Sequence, residues 1–243
     1  MSAQPFDAAR RALSNLFGSS SDESREQPVA LVYRGPASLP GCPEAVHSLL
    51  ASCPYQFRIR YVGPKDHELT ADALSGARLY AQPGGGTLKR AYKHLREHRS
   101  HIRDFVRGGG GYLGFCLGGY LAGATPGFDL LPGDTDQYIE TDDATIDFDG
   151  NTVVDVLWRN EKRTLFFQDG PHFDIKRRSA TVLATYQNGT VAASVTPFGA
   201  GRVGVVGPHP EATRDWFTDA GLRVPRPLGL DLGQDLVSTV MSQ

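Results

Sequence analysis

Gly114-Phe115-Cys116-Leu117-Gly118 places a thiol between glycines, where an apolar run passes into a Gly-rich segment. Small flanking residues permit a sharp strand-to-helix turn that lifts the central side chain toward solvent. A thiol there faces a helix N-terminus, whose partial positive charge favours the thiolate. With a pKa of about 8.5, an ordinary thiol is only slightly ionised at neutral pH, so that help matters to a nucleophile. A buried thiol acting as a small hydrophobe is the commoner role for cysteine. The flanking glycines favour the elbow.

Two further pieces complete a reaction centre. Gly207-Pro208-His209-Pro210-Glu211 follows the apolar run Arg202 to Val206. At a strand's end, His209 could accept the thiol proton, and Glu211 could orient the imidazole and stabilise its cation. Gly84-Gly85-Gly86 follows another apolar run. The backbone N–H groups of Gly85 and Gly86, with that of Leu117, could hold an oxyanion. His172 stands in a Gly-Pro-containing turn, where it could line the pocket or simply face solvent.

The elements that position these residues alternate. Strands are expected at Val29–Tyr33, Phe57–Val62, Ala77–Ala81 and Tyr112–Phe115, with helices over Glu44–Ala51, Thr70–Ser75 and Leu88–Val106 between them. Such alternation predicts an α/β fold with a mostly parallel, doubly wound sheet and helices on both faces. The second half carries short strand-like runs at 152–157, 163–167, 180–186, 191–195 and 202–206. Asn188-Gly189 is a hairpin signal between two of them. Phe6, Leu13 and Phe17 share one side of a short amphipathic helix, and a Ser/Asp/Glu-rich stretch to Pro28 reads as a linker. The expected organisation is therefore residues 1–28 as helix and linker, and 29–243 as one domain.

These motifs resemble class I glutamine amidotransferases. Leu31-Val32-Tyr33-Arg34-Gly35-Pro36 and Phe166-Phe167-Gln168-Asp169-Gly170-Pro171-His172-Phe173 are more particular. They look like the amidotransferase-like domain at the N-terminus of fungal-type biotin-protein ligases. The resemblance spans roughly Val29 to Ala220. It implies a flavodoxin-like amidotransferase architecture and a triad of Cys116, His209 and Glu211. Amidotransferases carry His-Gln three and four places after the nucleophile, where this chain has Gly119 and Tyr120. Glutaminase activity is therefore not expected, and Tyr120 becomes a substrate-contacting residue. The ligase's catalytic region is missing, so biotinylation by this chain alone is not expected.

Other signals are weaker. His94-Leu95-Arg96-Glu97-His98 has a zinc-peptidase spacing, but seven Arg and Lys side chains between Lys89 and Arg107 disfavour a divalent ion. The same basic helix is read as a solvated face. Three cysteines, an odd and low number, argue against a disulfide framework and fit a reducing, cytoplasmic setting. A net charge of -2 gives no overall pull toward nucleic acid or membrane. The expectation is a cysteine-dependent enzyme acting on a small-molecule or peptide amide, with no cofactor or metal and with room for a protein partner or homo-oligomer. The alternative is a non-catalytic binding or regulatory module on the same fold.

Overall fold

The computed structural model describes residues 27–242, so the amphipathic pattern at Phe6, Leu13 and Phe17 lies outside the described residues. Five strands form a parallel block: β1 (Val29–Tyr33), β2 (Arg58–Val62), β3 (Leu79–Gln82), β4 (Gly111–Phe115) and β11 (Gly201–Val206). Their order is β2-β1-β3-β4-β11. β1 shows why an apolar run suits this place. Ala30 and Val32 enter one core, while Val29, Leu31 and Tyr33 enter another, so both faces are covered.

Helices supply that cover. α1 (Cys42–Ala51) and α7 (Leu230–Met241) pack Val46, Leu49, Leu236 and Val237 on the face that carries Leu113 and Phe115. α2 (Ala71–Ser75), α3 (Leu88–Leu95), α4 (Arg99–Arg107) and α5 (Leu117–Ala122) pack Leu74, Leu95, Ile102 and Leu121 on the opposite face, against Tyr80 and Tyr112. α6 (Arg214–Asp219) lies with Phe166 and Phe217 in a smaller apolar cluster.

The sheet is mixed, which corrects only the extent of the expected parallel sheet: the β2-β1-β3-β4-β11 block is parallel with helices on both faces, and an antiparallel half follows it. Beyond β11 run β10 (Val191–Phe198), β9 (Thr181–Tyr186), β6 (Thr152–Trp158) and β7 (Glu161–Phe167), all in antiparallel pairs. β8 (Pro171–Ile175) pairs with β10 and with β5 (Gly133–Gln137). Tight turns, in place of crossover helices, reverse the chain. Arg159 and Asn160 at φ 49° and 68° join β6 to β7, and Gly189 at φ 84° sits between β9 and β10.

A second correction concerns the basic helix, which breaks at a 3₁₀ turn over Arg96–His98. Its arginines are not all solvated. Arg99 donates to the Gly127 carbonyl, and Arg103 donates to the Phe128 carbonyl and pairs with Asp129. They dock the second segment onto the loop beyond α5. No helix among the described residues is long and apolar enough to cross a membrane.

The C-terminal α7 is pinned to the antiparallel half by Asp235, which accepts from Trp158 Nε1 at 2.8 Å and from the Arg159 guanidinium at 3.0 Å. The cluster is part-exposed, so the expected cost of Asp235→Ala is modest, about 1 kcal/mol. Thermal unfolding should show a Tm lower by about 2–4 °C. An unchanged Tm would mean that α7 is held by its apolar contacts alone.

Candidate active site

Cys116 lies between β4 and α5, at φ 47° and ψ -104°. A non-glycine residue there holds roughly 1–3 kcal/mol of backbone strain. Neighbouring hydrogen bonds fix it: its N–H donates to the Val206 carbonyl at 2.8 Å, and its carbonyl accepts from the Tyr120 N–H at 3.0 Å. Gly118 is required for close approach, because a Cβ there would strike the carbonyl oxygen of Gln82 on β3. The elbow is thus locked to the two strands that flank β4.

The sulfur is less open than the motif suggests. Cys116 is only 7% exposed, and its Sγ lies 3.7 Å from the Gln168 carbonyl oxygen, within reach of a weak S–H contact. The segment after β7 covers the elbow, which corrects the picture of a side chain lifted free into solvent.

His209 and Glu211 follow β11, the parallel neighbour of β4. The His209 N–H donates to the Phe166 carbonyl at 2.9 Å. Its Nδ1 meets Glu211 Oε1 at 2.8 Å, with both side chains almost fully buried. Trp216 and Phe166 pack edge-on to the imidazole, with centroids 5.2 and 6.0 Å away. Gly84 marks where the ring and the thiol meet. A Cβ on Gly84 would lie 2.7 Å from His209 Cε1 and 3.4 Å from Cys116 Cβ.

The electrostatics follow from this enclosure. Burial alone would push the His209 pKa down, but the Glu211 carboxylate and the Cys116 sulfur outweigh it and raise the pKa to about 10. Both neighbours favour the protonated imidazole. Because Nδ1 is engaged by Glu211, the other ring nitrogen, Nε2, is left for chemistry. Glu211 Oε2 is buried without a hydrogen-bond partner among the described residues.

The remaining expected residues are spread around this centre. Gly85 and Gly86 take φ values of 98° and 85° in the loop after β3, with Gly85 close against Leu39. Leu117 opens α5, and its side chain is buried in the core. Tyr120 donates its hydroxyl to the Asp169 carbonyl at 3.1 Å. Burial, with Asp169 and Cys116 nearby, pushes its pKa up. His172 sits on β8 opposite Asp136 and has no hydrogen bond to Cys116, His209 or Glu211. Burial lowers its pKa against the pull of Asp136 and Asp174.

Some participants have no separate sequence signal. Gly84 shares a run with Gly85 and Gly86, yet it is the glycine that touches both Cys116 and His209. Gln168 and Asp169 belong to the Phe166–Phe173 motif, but nothing in that motif signals that this strand end, about fifty residues beyond the elbow, meets Cys116 and Tyr120. Gln137 holds both Asp169 carboxylate oxygens, at 2.9 and 3.0 Å. Trp216 comes from α6, whose 6 residues are too few to show a helical period.

Comparison with known proteins agrees with the architecture. Residues 29–142 match the family model described as biotin-protein ligase, N terminal. A glutamine amidotransferase from Thermotoga maritima is 16% identical with a TM-score of 0.57, over 88% of this chain and 96% of that one. Another glutamine amidotransferase is 16% identical with a TM-score of 0.56, over 80% and 99% of the two chains. A putative GMP synthase subunit from Thermoplasma acidophilum is 11% identical with a TM-score of 0.52, over 87% and 97%. No curated protein matches the sequence significantly. At such identities the likeness is one of fold. Residues 29–142 thus carry the match to the biotin-protein ligase N-terminal family, and the chain has the fold of class I glutamine amidotransferases.

Proposed function

We propose that the protein is a cysteine-dependent acyl-transfer enzyme of the amidotransferase-like class, acting on an amide other than glutamine. The observation that carries this reading is the buried 2.8 Å contact between His209 and Glu211, set beside the strained Cys116. In this reading the Cys116 thiolate attacks the amide carbonyl carbon, and a C–S bond forms. The C–N bond then breaks, and the His209 imidazolium gives its proton to the departing nitrogen. Water or an acceptor amine attacks the thioester, its proton passes to His209, and the thiolate is released. With water, amide becomes carboxylic acid and amine, and no redox partner enters. Glu211 holds the ring in place in both states, as imidazolium before C–N cleavage and as neutral base before thioester attack. Gly85, Gly86 and the Leu117 N–H are the proposed oxyanion contacts.

A second reading, a binding module that has kept the fold, draws on the cover that Gln168 places over Cys116. Thiol labelling separates the two. Burial raises the pKa of Cys53 to about 11 and pushes that of Cys42 higher still. Iodoacetamide at pH 6.5 with peptide mapping should modify Cys116 first. First modification of Cys42 or Cys53 would favour the binding module.

If an acyl probe is turned over, His209→Ala should lower kcat by about 10²–10⁴-fold. Glu211→Gln should cost less, because the carboxylate acts only through the imidazole. Equal losses for both would contradict this division of roles. Ammonia release from glutamine should stay well below about 1 s⁻¹, an ordinary turnover. A faster rate would remove the argument from Gly119 and Tyr120.

A further inference from the structure

A cleft of about 730 Å³ lies away from Cys116, between the β6–β7 hairpin, the start of α6 and the segment that leads to α7. Its walls carry Lys162, Arg163, Arg214, Arg223 and Arg226. Two of these are already matched: Lys162 pairs with Asp155 at 2.8 Å and Arg163 with Asp231 at 2.7 Å. Among the described residues, Arg214, Arg223 and Arg226 have no acidic partner within ion-pair distance. Three exposed guanidinium groups thus line one concavity without a carboxylate partner among the described residues, in a chain whose net charge is -2.

From this arrangement we infer that the cleft is a binding site for a small organic polyanion, an organic phosphate or polycarboxylate with at least two oxyanion groups. Guanidinium forks match such groups bidentately, and they are weakly hydrated enough to give up water for them. The volume falls within the range of small-molecule sites. Val153, Val224 and Pro225 also line it and offer apolar contact to the ligand's carbon skeleton. A nucleic-acid strand would call for a basic track that extends past the cleft, whereas these cations are gathered on one concavity.

Equilibrium titration at about 150 mM salt tests the site, with pyrophosphate and citrate as separate probes and a single-stranded oligonucleotide as the competing class. Saturable binding of one equivalent of pyrophosphate or citrate, with Kd below about 1 mM, is expected. The stronger of the two identifies the oxyanion chemistry. Arg223→Ala combined with Arg226→Ala, both on exposed side chains, should weaken that binding at least tenfold while leaving Tm unchanged. Lys89→Ala combined with Arg90→Ala removes equal charge from α3 and should change affinity less than twofold. Absence of saturable binding, equal weakening by both pairs of substitutions, or tighter binding of the oligonucleotide than of either small anion would overturn the assignment.

Discussion

A buried carboxylate holding a buried imidazole is the interaction on which the site depends. Taking either charge out of water alone would be costly, so each justifies the other's burial. His209 keeps its proton because Glu211 and Cys116 outweigh desolvation. The stability this linkage contributes is fully present below the ordinary histidine pKa of about 6.5. It declines as pH rises through about 10, because the folded state holds that proton more tightly than the unfolded chain. Phe166 and Trp216 exclude water from the ring's surroundings, which keeps the carboxylate's field strong.

The sheet delivers the other partner. Parallel pairing of β4 with β11 sets Val206 beside Phe115, so Cys116 and the His209 segment leave the sheet from neighbouring carboxyl ends. β3 ends on the other side of β4 and brings Gly84 under both side chains. Ligands of open α/β sheets gather at such strand ends. The antiparallel half adds what the parallel block lacks: the β7–β8 connection that covers the sulfur, and the β7 backbone that fixes the His209 N–H.

Strands covered on both faces are legible in the sequence because their apolar residues run nearly unbroken, as at Val29–Tyr33 and Gly201–Val206. The elbow and the His209 segment are legible for a related reason: each stands at the end of such a run. β5 is hidden because Gly133–Gln137 contains two aspartates and little apolar pattern. α7 carries Leu232, Leu236, Val237 and Val240 at helical spacing, a signal that the sequence does contain and that the expected elements left out. Of the antiparallel half only the β9–β10 hairpin has a local sign, at Asn188-Gly189; partners distant in sequence, such as β8 and β10, are chosen by long-range packing that local periodicity does not encode. For the same reason, cover over Cys116 by Gln168 has no local sign.

The most direct test is a ¹⁵N NMR titration of the His209 imidazole in the intact protein, with Glu211→Gln alongside. His209 is expected to remain cationic through neutral pH and to titrate near 10. In the Glu211→Gln protein, loss of the largest upward influence should shift that titration to lower pH. A His209 that titrates near the ordinary value of about 6.5, or one whose titration is unmoved by the substitution, would contradict the claim that Glu211 holds a charged imidazole beside Cys116.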